Sequence, residues 1–217
     1  SAIVSPDLAI ITNIGDSHLK YLKNRKGVFT EKVALLNETT NRGGKVFINN
    51  DDTILKEFGK SVKNKITFAI NEKADYKVSI KGYDKLARPQ IEIKSKKNVF
   101  STTLPISGEK NVLNFTAAYA IARELGLTDS QIQKAVKKIK SYNKRLEIKN
   151  LKKFTLINDT YNANPDSMKS SIEILNKIES RKRKIAVLGD MFELGNESKS
   201  KHLDLANFIN KTKVDEV

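Results

Sequence analysis

Apolar residues dominate the segment 7–14, DLAIITNI, and polar ones follow it. A run of that kind fits a strand buried on both faces, as in a parallel sheet. Residues 27–40 carry helical spacing, 45–50 (KVFINN) read as a second strand, 53–62 as a helix and 66–70 as a short strand. The order β-α-β-α-β predicts an open parallel sheet. From 75 to 106 the pattern changes, and 76–80, 90–93 and 99–104 read as antiparallel strands with polar turns. Helices are expected at 112–125 and 130–141, the second capped by Thr128 or Asp129. A second β-α-β series begins near Phe154: strand 154–159, helix 166–178 with Pro165 suited to its first turn, strand 184–190 and helix 200–211. The fold class expected is α/β, in two units that meet around 145–152.

The chain has 217 residues with 40 Lys+Arg against 25 Asp+Glu, a formal net charge of +15. Of the basic residues 33 are Lys and 7 are Arg, and Asn reaches 20. A base-reading protein is expected to use Arg forks, so the charge reads first as a Lys/Asn bias with solvated lysines. A basic nucleic-acid-binding module remains the alternative from a different class. There are no cysteines, which excludes disulfides, zinc fingers and thiol catalysis. No apolar run approaches the roughly 18 residues of a membrane span. The start, SAIVSPDLAII, lacks a basic segment and a small-residue cleavage site, so no signal peptide is expected. That start and the end, VDEV, lead to the expectation that the chain is a piece of a longer protein.

Candidate chemistry clusters at expected strand ends. His18, one of two histidines, follows the first strand in NIGDSH; the other is His202. Ligands of open parallel sheets bind beyond the carboxyl ends of strands, so His18 beside Asn13 and Asp16 is placed for a metal or phosphate, or is a surface loop residue. Lys32 shares a helix face with Val28 and Leu35. Either its amine snorkels to water, or it is partly buried and reactive. Asn111 and Asn114 in GEKNVLN can bond a base or cap the helix. Asp159 ends a strand in NDTYNANPDSM, where a carboxylate can accept ribose hydroxyls or simply serve a polar turn. LGDMFELG, with Asp190 and Glu193, is a second strand-end loop, or a cap for the next helix. The chain contains no G-x-x-x-x-G-K-[ST], G-x-G-x-x-G, G-x-S-x-G or H-E-x-x-H.

Together SPDLAIITNIGDSH, Lys32, GEKNVLNFTAA, KRLE, NDTYNANPDSM and LGDMFELG resemble, in order and over nearly the whole chain, the Mur ligases of peptidoglycan synthesis. YNANPDSM is the most specific piece, and points to the branch that ligates D-alanyl-D-alanine to UDP-N-acetylmuramoyl-tripeptide. Another Mur-type or folylpolyglutamate-type ATP-dependent amide ligase is the alternative within this class. The resemblance implies a partial central ATPase domain at 1–147, of P-loop type with a mostly parallel sheet and an antiparallel insertion. The first half of a Rossmann-like domain would follow at 148–217. It implies ATP and Mg2+ as cofactors, an acyl-phosphate intermediate, a cytoplasmic bacterial setting, a monomer, and no nucleic-acid partner. His18 and Lys32 would be magnesium ligands, Lys32 after carbamylation, and with Arg145 they would be catalytic. Asn111, Asn114, Arg145 and Asp159 would bind ATP. Asn162 and Asn164 would face the incoming dipeptide. Lys110 stands where the family often has His, and Lys144 where Gly is common. The family's P-loop is not in this chain, so the chain alone is expected to be inactive.

Overall fold

The computed structural model describes residues 5–15, 19–142, 144–179 and 182–217. Its first unit is a six-stranded sheet in chain order. The strands are β1 (Leu8–Ile11), β2 (Lys45–Asn49), β3 (Lys65–Ala69), β4 (Tyr76–Tyr83), β5 (Pro89–Lys94) and β6 (Val99–Thr103). β1 to β4 pair in parallel, and β4 to β6 are antiparallel.

The two-residue period of a strand sends alternate side chains to opposite faces, and here both faces are covered. Val46 and Ile48 of β2 join Ala9 and Ile11 in a core with Val28 and Leu36 of α2 (Arg25–Asn41) and Leu55 of α3 (Thr53–Lys60). Phe47, between them in sequence, joins Phe68, Val78, Ile91 and Ile93 on the other face. There α4 (Glu109–Glu124) and α5 (Asp129–Val136) supply Val112, Phe115, Tyr119 and Ile132. The Tyr119 hydroxyl donates to Asp129 at 2.8 Å; burial and that bond push it up to about 12.

Several expected elements are shifted for identifiable reasons. β1 stops at Ile11 although Ile14 is fully buried, because Asn49 and Asp52 take the next backbone groups. β4 enters parallel to β3 rather than antiparallel. The Asp51 carboxylate gathers the amides of Ile70, Asn71 and Glu72, and Asp75 accepts from Thr67, which turns the chain back alongside β3. α5 ends at Val136, short of 141, in a tightened turn with Lys138 N–H on Ala135 and Ile139 N–H on Val136. Thr128, not Asp129, is its cap.

The second unit departs further. β8 (Thr155–Asn158) does not open a parallel series; it pairs antiparallel with β7 (Glu147–Asn150). The segment 184–190 is extended, but its pairing is a single parallel bridge, Ile185 to Glu216. A strand is a ladder, and the backbone-to-backbone bonds across this bridge are two, from the Ala186 and Asp215 amides, with Val187 94% exposed. α6 (Pro165–Lys177) and α7 (Ser198–Ile209) close a small core through Met168, Ile172, Leu205 and Ile209. Pro165 is in the first turn, as expected. No helix among the described residues is long and apolar enough to cross a membrane.

The units touch through the β4–β5 turn. Ala87 is buried beside Ile174 and Ile178 of α6, with Leu146, Ile148 and Ile157 around them. Ala87 has φ +55, and Asp84 holds it there by accepting from the Leu86 and Arg88 amides at 2.9 Å and from Arg88 Nε at 2.6 Å. Burial opposes ionisation of Asp84, but the Arg88 and Leu86 donors outweigh it and hold its carboxyl below the usual range. A lowered native value means the stabilisation is present above the unfolded value, about pH 4, and is lost as pH falls through the native one. Urea unfolding should therefore show wild type losing more stability than Asp84→Asn between about pH 6 and pH 3. Equal losses would show that the turn does not depend on this carboxylate.

Candidate active site

The site begins where β1 ends. Asp52 caps α3, its Oδ1 accepting from the Ile54 and Leu55 amides at 3.0 Å, while its Oδ2 accepts from the Ile14 amide at 2.6 Å. The Asp52 side chain is 5% exposed, and Arg25 is its cation at 3.9 Å. Arg25 Nε also donates to the Ile14 carbonyl at 2.9 Å, and Asn49 Nδ2 to the Thr12 carbonyl at 2.9 Å. Residues 12–15 are thus fixed by side chains from β2, α2 and the cap of α3. A Cβ on Gly15 would lie 3.2 Å from Asn13 Nδ2 and 3.9 Å from Asp166 Oδ2. Gly15 thus sits tightly against Asn13 of its own loop and at ordinary contact distance from Asp166 of the second unit.

Lys32 reaches this loop from α2: Nζ donates to the Asn13 carbonyl at 3.2 Å, and the residue is half-buried. His18, its expected partner, and Asp16 lie outside the described residues. No group of three or more His, Cys, Asp or Glu among the described residues could hold a metal ion.

Two helix starts meet at the seam between the units. Gly108, with φ +99, precedes α4, and a Cβ there would lie 3.2 Å from Leu146 Cδ1 and 3.4 Å from Ile174 Cδ1. The second unit can approach α4 because that Cβ is absent. Asn111 Nδ2 donates to the Ser107 carbonyl at 2.7 Å, and Asn114, one turn on, is exposed. Asn164 caps α6, its Oδ1 accepting from the Ser167 amide at 2.9 Å. Asp166 in the first turn of α6 meets Lys110 of α4 at 3.5 Å. Asn162, before the cap, is exposed.

Arg145 and Asp159 sit on one braid. The Arg145 guanidinium lies 3.9 Å from the centre of the Tyr161 ring, and Tyr142 meets that ring edge-on. The Tyr161 amide donates to the Lys144 carbonyl at 3.0 Å. Asp159 Oδ1 accepts from the Leu146 amide at 3.0 Å and its Oδ2 from the Ser171 hydroxyl. Each carboxylate oxygen keeps a lone pair for another donor. Lys144 has φ +60, which explains why glycine suits that position.

Family models match both parts of the chain: the Mur ligase middle domain over residues 1–122, and the Mur ligase glutamate ligase domain over 144–217. The chain belongs to the Mur ligase family. Over its whole length it is 32% identical to the UDP-N-acetylmuramoyl-tripeptide–D-alanyl-D-alanine ligase of Bacillus subtilis, of which it covers 46%. It is 30% identical to the ligase of that name from Haemophilus influenzae, over 98% of this chain and 46% of the relative. Among solved structures, MurF from Acinetobacter baumannii superposes with a TM-score of 0.85 at 29% identity, over 98% of this chain and 46% of that one. MurF ligase from Thermotoga maritima in complex with ADP gives 0.85 at 25% identity, over 97% and 48%. The chain spans about half the length of these relatives.

Of this Mur ligase chain's anticipated site residues, Lys32 lies beside the β1-end loop, Asn111 and Asn164 at the two helix starts of the seam, and Arg145 beside Asp159. Sequence reasoning missed Asp52, Asn49 and Arg25, which shape that loop, and Tyr161 and Ser171, which hold Arg145 and Asp159. Asp52 carried a signal, an Asp directly before the helical run TILKEF. Asn49 and Arg25 carried none, because their targets are backbone atoms more than ten residues away.

Asp52→Ala leaves three amides without their acceptor and should cost about 2–3 kcal/mol in urea unfolding of this chain. A loss under about 0.5 kcal/mol would show that the loop is held otherwise.

Proposed function

We propose that this chain is the later part of the ATPase unit, 1–147, and the start of the C-terminal unit, 148–217, of a ligase. That ligase joins D-alanyl-D-alanine to UDP-N-acetylmuramoyl-tripeptide at the expense of ATP in cytoplasmic peptidoglycan synthesis. The observation that supports this reading is the seam between the units, where the start of α4 meets the start of α6 through Lys110 and Asp166, and Leu146, beside Gly108 and next to Arg145 in the chain, donates to Asp159. A nucleic-acid module would need no such seam.

A carboxylate acylates poorly, so ATP first phosphorylates it and the dipeptide amine then displaces phosphate. Both steps build negative charge on phosphoryl and acyl oxygens. Arg145, held over Tyr161, would meet that charge. Asp159, already oriented by Leu146 and Ser171, would accept the ribose hydroxyls. Asn114 and the free carbonyl of the Asn111 amide would border the adenine. Asn162 and the unused amide protons of Asn164 would face the dipeptide. The reactants would come from different units, so closure must join them.

Lys32 fits a carbamate. Its Nζ would keep one N–H for the Asn13 carbonyl, while the added carboxyl supplies the oxygen ligands that a hard cation prefers. With His18 it would hold magnesium, which neutralises phosphate charge when bound.

In the complete ligase, Asp159→Ala should raise KM for ATP by roughly 10- to 150-fold, while Arg145→Ala should mainly lower kcat. Wild-type ATP kinetics in both would place the nucleotide elsewhere. Lys32→Arg should remove most ligation, since a guanidinium neither forms the carbamate nor binds a metal. Near-normal turnover of Lys32→Arg would leave Lys32 a snorkelling lysine.

A further inference from the structure

The loop 188–195, LGDMFELG, takes no part in the mechanism above, yet it is tied down from two sides. On the inner side Met191 is 2% exposed and Leu194 6% exposed. Both join the core that contains Met168 and Ile172 of α6, with Ala163 of the 158–168 loop packed against it. On the outer side His202, in the second turn of α7, grips the loop. Its Nε2 lies 2.8 Å from Asp190 Oδ1, and its Nδ1 lies 2.8 Å from the Ser198 carbonyl. The same Asp190 oxygen accepts from the Met191 amide at 2.8 Å. One carboxylate oxygen therefore joins α7 to the backbone of the residue that enters the core. The loop needs such a hold at Glu193, whose φ of +62 is a conformation that a non-glycine residue adopts only when its surroundings fix it.

We propose that Asp190 and His202 form a latch that positions the segment 162–164 through Met191 and Leu194, and so sets the affinity of the site for its amine substrate. Both are positioning residues. Neither needs to touch the reacting atoms, and the path runs from His202 to Asp190 and Met191, and through them into the core that holds Met168 and has Ala163 packed against it. Ala163 lies between Asn162 and Asn164, so a loosened core changes the setting of the segment that carries the two residues assigned to the dipeptide. The nucleotide residues are held outside that segment: Asp159 by Leu146 and Ser171, and Arg145 by Tyr161, whose amide is on the Lys144 carbonyl. The latch should therefore act on the amine and leave ATP binding unchanged. This rests on the reading of the chain as part of a D-alanyl-D-alanine-adding ligase.

The test compares His202→Ala, Asp190→Ala and Asp190→Asn in the complete ligase, by hydrogen exchange and by steady-state kinetics. Asparagine keeps an oxygen where Asp190 Oδ1 accepts, so Asp190→Asn should behave like wild type. Both alanine variants should speed amide exchange about tenfold in 188–195 and in 162–164, with β1 to β3 unchanged. They should also raise KM for D-alanyl-D-alanine about tenfold while KM for ATP stays within about twofold. Should His202→Ala lose its fold, the Asp190 pair still decides, because the Asp190 side chain is 63% exposed and its replacement leaves the core intact. Unchanged exchange in 162–164, or equal rises in both KM values, would overturn the latch. If the wild-type ligase instead accepts a different amine, the functional reading fails, while the exchange measurement still decides whether the latch exists.

Discussion

A single buried carboxylate sets the shape of the edge where β1 ends. Asp52 accepts from the Ile14, Ile54 and Leu55 amides at once, with Arg25 beside it. A carboxylate on three amides is well satisfied where a lone buried charge would be costly. It starts α3, ends β1 early and holds residues 12–15 in a loop rather than a strand. Lys32 lies against that loop, and Asp166 at the start of α6 lies beside Gly15. Without Asp52, β1 could continue its ladder and the surface facing the second unit would change.

The second unit approaches because small or left-handed residues clear its way. Gly108 admits Leu146 and Ile174, and Ala87, turned to positive φ by Asp84, packs against Ile174 and Ile178. These contacts are apolar, with the Lys177–Tyr83 pair beside them, whereas the link at the start of α6 is polar, Lys110 with Asp166. Exposed ion pairs contribute little and yield readily to an anionic ligand.

The parallel core was legible because β2 and its neighbours are apolar at successive positions, which requires cover on both faces. The motif loops were legible because Asn, Asp and Gly crowd at strand ends in NDTYNANPDSM and LGDMFELG. The pairing of β7 with β8 was not, since a four-residue strand has the same composition in either direction. Nor was the weakness of 184–190 as a strand. Its apolar run asks for neighbours on both sides, and a run alone does not say that only one bridge will form. Asn164 shows a further limit: a residue that caps a helix and one that binds a substrate are the same letter, and here the cap is what the geometry displays.

The central claim is that the nucleotide lies in the cleft between the two units. A crystal structure of the complete ligase with ADP and magnesium tests it most directly. The account predicts ribose hydroxyls within hydrogen-bonding distance of Asp159, adenine beside Asn111 or Asn114, and the diphosphate on the Arg145 side of the cleft. ADP bound with Asp159 still engaged only by Leu146 and Ser171, and no contact to α4, would contradict it.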